Sequence, residues 1–459
     1  MAIDLLGLIK TIVVVMMENC SFDNLLGYLS LDPSQKNVDG IVDAAEWRDK
    51  VASVYNGTKY RPFLLTDPYD AIDADPPHER PQIATQMGTA VNGIFPMNGF
   101  VTNYASAQGA KPITATSQPP VMGYFTADQA PMTGFFAENF AICDHWFSAL
   151  PAGTQPNRLM AMSGVSRIDV NHDILPDQKL VYDWLTENKV RWRVYHEDMP
   201  FFAMMPRWLP DILTENHFRP LSNFFNNVEN DRPGDLPQVI FIEPTYTDSP
   251  HTGSSSDDHA PSAIRGGQEF LLNVYRSMAR LPDLWKGAVM VVTYDEHGGF
   301  FDHVSPPALR TDPPAGASYP GFETLGVRVP AFVISPFVNP KTVFNGRLDH
   351  TSILKFIGQK FGKGGSYSDV VDKRAVGSVL DVLDASVSGR DVATAPSLDP
   401  YLQRQVKPAG FTPGTAPATP IQHCFQAALD AIRTHPDKPP GKFDELLRKF
   451  PARTTVAES

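Results

Sequence analysis

The clearest signal along this chain is a set of short apolar runs with no alternating polar positions. Residues 11–17 read TIVVVMM, β-branched and unbroken, the pattern of a strand buried on both faces of a parallel sheet. Residues 239–242 (VIFI), 288–294 (AVMVVTY) and 329–335 (VPAFVIS) share that character, and residues 192–195 form a shorter candidate. Helical patterns lie between them. Ser21 can cap a short helix with Phe22, Leu25, Leu26 and Leu29 on one face, and residues 268–281 read as a helix leading into the 288–294 run. Strands alternating with helices predict an α/β fold, with a mostly parallel central sheet and helices on both faces.

The connections are long. Residues 32–99 show little periodicity and many turn formers, and residues 245–267 are rich in Ser, Asp, Gly and His. Structureless stretches of that length in a compact domain usually carry function. Beyond about residue 381 the chain turns Pro-, Ala- and Thr-rich before a helical pattern at 421–434. The expected division is therefore a main domain over 1–380 and a Pro-rich C-terminal extension with a helix over 381–459, which wraps or dangles.

Bulk properties narrow the function classes. A formal charge of −12 argues against a nucleic-acid binder, which needs a basic face, but not against an anionic substrate held through a cation. The three cysteines, Cys20, Cys143 and Cys424, form no C-x-x-C pair, so neither a zinc ribbon nor a disulfide framework is signalled. No apolar stretch is long enough for a transmembrane helix, so stable membrane insertion is not expected. The N-terminus lacks a basic n-region and an A-x-A cleavage site, which makes the cytoplasm the default location. Oligomeric state is not legible.

Candidate chemistry gathers where the strands end. Open parallel sheets bind ligands beyond the carboxyl ends of their strands. There the first run is followed by Glu18 and Asn19, and the 288–294 run by Asp295 and Glu296. Three carboxylates at one rim repel one another and favour a cation; the alternative is that each pair merely starts a loop. In the dense segment DEHGGFFDH, the paired glycines allow Asp302 and His303 to fold back toward Asp295 and Glu296. His297 and His303 read equally as ligands or as packing residues. In PAGTQPNRLM, Pro156 suits the first turn of a helix and puts Thr154 at or just before its N-terminus. A hydroxyl there can attack phosphorus beside a metal, or can simply cap the helix. His78, His196 and His259 lie in polar loops; as a set they can donate to phosphoryl oxygens and protonate a leaving group.

These motifs resemble the bacterial phospholipase C and acid phosphatase family of phosphoesterases. MMENCSFD is similar to its opening block, GTQPNR to its nucleophile segment, DDHAP to its D-x-H-P loop, YDEHGGFFDH to its most recognisable block and DHTSIL to a late block, in the family's order from about residue 10 to 360. Cys20 stands where that family usually has Arg. The resemblance implies an alkaline-phosphatase-like fold and a metal-assisted mechanism with a covalent phosphoenzyme. One divalent ion (Ca, Mg, Mn or Zn) would sit on Glu18, Asn19, Thr154, Asp295 and Glu296. Thr154 would be the nucleophile, with His78, His196 and His259 assisting, and Asn19, Asn157, Arg158, Asp258 and His297 would line the substrate. A phospholipid and a small monoester compete as substrate, and a secreted or periplasmic location becomes an option. The rival readings are a catalytically silent binding protein on the same fold, and another phosphodiesterase or a sulfatase of the superfamily.

Overall fold

The computed structural model describes residues 4–35, 37–66, 72, 74–227, 236–387, 389–403 and 419–450. The stretch 404–418 of the expected Pro-rich extension lies outside them. An eight-stranded sheet carries the fold. Its strands in chain order are β1 (Thr11–Met17), β2 (Ala141–Cys143), β3 (Trp192–His196), β4 (Phe218–Pro220), β5 (Val239–Glu243), β6 (Ala288–Tyr294), β7 (Ala331–Ile334) and β8 (Thr342–Phe344), and their order across the sheet is β8-β2-β7-β6-β1-β5-β3-β4. Every residue of β1, β5 and β6 is buried, as their unbroken apolar sequences require.

Strand register sets where the acidic residues emerge. β1 and β6 run parallel from Thr11 opposite Ala288 to Met17 opposite Tyr294, so Glu18 and Asp295 leave the sheet at the same level. Both faces are covered. Val15, Val292 and Phe332 are lateral neighbours and share one face, where the Phe332 ring packs edge-on against Phe136 of the helix Pro131–Asn139. For the numbering used here α1 is Phe22–Leu25, α2 Arg80–Met87, α3 Pro131–Asn139, α4 Thr154–Ser163, α5 Arg265–Ala279, α6 Thr351–Phe361 and α7 Pro420–Thr434. On the opposite face Val14, Met16 and Phe241 meet Ala161 and Met162 of α4 and Ile353 and Leu354 of α6.

The expected α/β architecture is thus present, with one correction. The 329–335 run contains β7, which is antiparallel to both β6 and β2. Its sequence looks like that of its parallel neighbours because burial on both faces, not strand direction, selects apolar β-branched residues. Direction is set by the connection. No helix crosses over between Tyr294 and Ala331, only loops and a two-stranded ribbon of Ala308–Thr311 with Phe322–Thr324, so the chain re-enters from the edge it left.

The 32–99 stretch is also less bare than its sequence. Ile83 and Met87 of α2 join Phe100, Val101 and Tyr104, with Val121, Met122 and Phe301, in a second apolar core above the strand ends. α7 packs its Phe425 against Phe201 and Tyr246, and Gln422 donates to Asp248 at 2.8 Å. Among the described residues, no helix is long and apolar enough to cross a membrane.

Candidate active site

The strand-end carboxylates converge on one arginine. Arg158, in the second turn of α4 and 4% exposed, donates from Nη2 to Glu18 Oε1 at 3.0 Å and places Nε 3.4 Å from Asp295 Oδ2. Its guanidinium lies over the rings of both Phe201 and Tyr246, 4.7 and 4.8 Å from their centroids. Asn19 adopts the left-handed region (φ 60°), which asparagine tolerates, and its N–H donates to Asp295 Oδ1 at 3.2 Å. Across the turn Gly298 has φ 62°, and a Cβ there would stand 2.3 Å from the Asn19 carbonyl. Two segments almost 280 residues apart therefore lock together backbone to backbone. His350 holds the same turn. Its Nδ1 accepts from the Trp146 indole, so the ring is neutral and Nε2–H donates to the Asp295 carbonyl at 2.6 Å; burial pushes its pKa down to about 4.

Two histidines complete the rim. His259 places Nδ1 3.0 Å from Glu18 Oε2 and Nε2 3.4 Å from Asp75 Oδ1. His78 places Nε2 3.4 Å from the Asn19 amide and 3.9 Å from Glu296 Oε1, and its ring meets that of His259 edge-on at 5.6 Å. Burial opposes both imidazolium charges, but Glu296 and Asp75 hold His78 up at about 9, and Asp75 and Glu18 raise His259 well above its ordinary value. Burial, reinforced by the charge of Glu18, pushes Asp295 up to about 8. Despite burial, Arg158 and His259 hold Glu18 below the usual carboxylate range.

Thr154 is the first residue of α4, and Gly153 occupies the cap position. The capping alternative for its side chain therefore fails. Residues four apart share a helix face, so Thr154 stands one turn ahead of Arg158 on the side that meets Glu18 and Asp295. Its hydroxyl is fully buried with no hydrogen-bond partner among the described residues. The same holds for Asn19 Oδ1, Asp295 Oδ2 as a hydrogen-bond acceptor, and Glu296 Oε1. Four buried oxygens without donors are what a bound cation relieves, since each unpaired group costs about 1–3 kcal/mol. The expected ion would satisfy those oxygens of Asn19, Thr154, Asp295 and Glu296. Glu18 differs, because Arg158 and His259 already engage both of its oxygens. Two tighter acidic–histidine groups of metal-ligand spacing share the rim: Asp75 with His78 and His259, and Glu18 with Asp257 and His259.

Several expected site residues are placed elsewhere. Asn157 gives its whole amide to the loop before α4, donating to the carbonyls of Leu150, Ala152 and Gly153 and accepting from Leu150 N–H; it positions the loop rather than facing a substrate. The Asp258 carboxylate accepts from Tyr294 OH at 2.6 Å and packs on Gly267, turned away from the rim. Its neighbour Asp257 stands closer, and its carbonyl accepts from Glu18 N–H at 2.8 Å. His297 is fully buried behind the rim, where it donates to Gln86 Oε1 at 2.7 Å. His196 ends β3, two strands out from β1, and makes no contact with the carboxylates among the described residues. The expected fold-back of Asp302 and His303 is also corrected: they join Asp23, Asp39 and Arg328 in a separate cluster. Asp75 and Asp257 are additions, each adjoining a motif histidine (DPPH, DDH), and that adjacency was the available signal.

Fold and site together define an α/β protein with a buried centre of carboxylates, histidines and one unpartnered hydroxyl at the carboxyl edge of its sheet. The chain matches the Phosphoesterase family over residues 9–363 and belongs to that family, which makes it a phosphoric ester hydrolase by class. It is 32% identical to non-specific phospholipase C1 of Arabidopsis thaliana over 76% of this chain and 66% of that one. It is 28% identical to phospholipase C A of Mycobacterium tuberculosis over 77% of this chain and 73% of that one. The chain spans about two thirds of the length of the plant relatives. Among solved structures it overlaps a protein in the alkaline phosphatase superfamily from Vibrio parahaemolyticus at 9% identity over 50% of this chain and 59% of that one; the TM-score of 0.30 is too low to carry an argument.

Proposed function

We propose that this protein is a phospholipase C-type hydrolase that works through a phosphothreonine on Thr154 and requires a divalent cation. The carrying observation is the Thr154 hydroxyl, buried without a hydrogen-bond partner, as are one oxygen each of Asn19, Asp295 and Glu296. A divalent ion held by those four residues would lower the hydroxyl's pKa and hold a phosphoryl oxygen. Thr154 Oγ1 releases its proton to solvent and attacks phosphorus in line with the leaving glycerol oxygen. The bond to that oxygen breaks, and an imidazolium of the His78–His259 pair gives it a proton. Water then attacks the phosphothreonine, the same imidazole takes up its proton, and the headgroup phosphate leaves as Thr154 Oγ1 takes a proton back from solvent. Arg158 balances Glu18 and Asp295 and keeps α4 against the strand ends. The names of the plant and mycobacterial relatives support the phosphodiester, rather than a monoester, as substrate.

The test is a panel of phosphatidylcholine vesicles, p-nitrophenyl phosphorylcholine and p-nitrophenyl phosphate, assayed with and without chelator and re-added cation. Faster turnover of the diesters, lost on chelation, is expected. Preference for the monoester overturns the substrate assignment, and activity that survives complete chelation overturns the metal role.

A further inference from the structure

Between Arg80 and Asp128 the chain carries one charged side chain, Lys111. At the chain's average of 20% charged residues, about nine of those 47 positions would be charged. Much of the stretch nevertheless faces outward, with Thr89, Thr102, Gln108 and Thr114 exposed among its apolar residues.

Its apolar summit is a two-residue hairpin. Val91 and Ile94 exchange both backbone hydrogen bonds, at 2.9 and 3.1 Å, across Asn92 and Gly93. The φ values of 53° and 79° at those two residues are the left-handed pair that Asn-Gly accommodates in a tight hairpin turn. Opposed residues of a hairpin share one face, so the Val91 and Ile94 side chains stand together, 69% and 66% exposed. Val54, 42% exposed, lies at the base, where its N–H donates to the Asn98 carbonyl at 3.1 Å.

This promontory is fastened to the catalytic rim. Gln86 of α2 and Asn103 both donate to the Pro77 carbonyl, at 2.9 and 2.6 Å, next to His78. Phe95 N–H donates to Ser305 Oγ at 2.9 Å. α2 begins two residues after His78 and has eight residues, so about 12 Å of helix separates the rim from the hairpin.

The surroundings select the partner. A protein partner is met by an apolar centre with a polar, charged rim, whereas here hydroxyl and amide groups without charge surround the apolar pair. A lipid surface suits that arrangement, with apolar tips at the acyl boundary and neutral hydrogen-bonding groups among the headgroups. A chain of formal charge −12 is repelled by anionic lipid but can approach a zwitterionic surface where it carries no charge. We propose that the 88–98 hairpin docks this protein on zwitterionic phospholipid bilayers, with Val91 and Ile94 entering the acyl boundary beside the His78 loop. The proposal rests on the phospholipase C reading, yet docking is measured apart from turnover.

The full chain would be sedimented at low temperature with sucrose-loaded phosphatidylcholine vesicles, and turnover measured separately on monomeric p-nitrophenyl phosphorylcholine. Val91→Asp/Ile94→Asp should weaken vesicle binding at least tenfold and leave soluble turnover unchanged. Val370→Asp, a 57% exposed position beside the C-terminal end of α4, should leave both unchanged. Ile94→Trp should bind at least as well as wild type, with its added emission shifting to the blue on vesicles. Including phosphatidylglycerol should not strengthen binding. Equal binding by the double Asp variant, equal loss in Val370→Asp, or binding to anionic vesicles alone overturns the proposal. So does a wild-type dimer that the double Asp variant converts to monomer, which would assign the hairpin to a second copy. Vesicle binding without hydrolysis of any diester would instead overturn the phospholipase reading and leave the docking surface standing.

Discussion

Two acidic clusters lie buried in this molecule, both assembled from the same two segments, residues 18–24 and 295–303, yet they are finished differently. In the first, Arg158 pairs with Glu18 and Asp295, and of the five residues Glu18, Asn19, Asp295, Glu296 and Thr154, four keep an oxygen with no hydrogen bond. In the second, Asp23 and Asp302 flank Arg328, whose three nitrogens are all engaged: Nε with Asp302 at 3.0 Å, Nη2 with Asp23 at 3.2 Å, and Nη1 with the carbonyls of Asp39 and Asp144 at 2.8 and 2.9 Å. His303 bridges the remaining oxygens of Asp23 and Asp39 at 2.6 and 3.1 Å. Asp23, Asp302 and His303 have metal-ligand spacing, but a guanidinium already occupies their centre. Composition and burial are alike in the two clusters. Satisfaction separates the structural from the reactive: a closed network rigidifies, whereas an open one is retained for a ligand.

The sharpest way to break the contrast is Thr154→Ala. It should lower turnover of p-nitrophenyl phosphorylcholine by at least roughly three orders of magnitude, as loss of a nucleophile does, while the urea midpoint barely moves because the hydroxyl holds nothing. Retention of several per cent of activity by pure mutant removes Thr154 from the nucleophile's place. Arg328→Met should do the reverse. Leaving Asp302 buried without its guanidinium, and Asp23 with His303 alone, costs about 3–5 kcal/mol, read as a lower urea midpoint, with turnover per folded molecule nearly unchanged; a large loss of turnover without loss of stability would merge the two clusters functionally. Next in size, saturating divalent cation should raise the wild-type unfolding midpoint by the equivalent of about 2–3 kcal/mol at a hundredfold excess over Kd, and should not raise that of Asp295→Asn/Glu296→Gln. An equal shift in both would place the ion elsewhere.

The last test of the contrast is a pH dependence. Burial opposes the charge of His303, but Asp23 and Asp39 outweigh it and raise the group from an ordinary 6.5 to about 10. Below pH about 6.5 both folded and unfolded chains carry this proton, so the ion pairs contribute in full. Above it only the folded chain does, and the contribution fades until it is lost past pH about 10. The stability gap between wild type and His303→Gln, from urea titrations, should thus be flat below pH 6.5 and close toward pH 10. A gap that widens with rising pH contradicts the charged pairing.

Much of the fold was legible because burial leaves a local imprint. TIVVVMM and AVMVVTY can be read as core strands without knowing their neighbours, since a strand covered on both faces admits only apolar residues. Ser21 was legible as a cap, and its hydroxyl accepts from Asn24 N–H at 3.1 Å. What was not legible depends on partners distant in sequence. The nine residues DEHGGFFDH divide between the two clusters because Gly298 and Gly299 turn the backbone and Arg328 captures Asp302, a choice made some 26 residues downstream. His196 looks no different from His78 or His259 in sequence; strand order alone carries it two strands from β1. Thr154 illustrates the same limit, since whether a hydroxyl caps its helix or stands free depends on one residue of offset in the cap.

The sequence by itself therefore determined the apolar strands and the acidic residues that must emerge where they end, because the period and the termination of a buried run are local properties. Only the tertiary structure decided that Met17 lies level with Tyr294, that Arg158 and not Arg328 meets Glu18, and that four oxygens are left without donors. Register, arginine placement and hydrogen-bond satisfaction are sums over contacts between segments hundreds of residues apart, and no window of sequence contains both sides of such a contact.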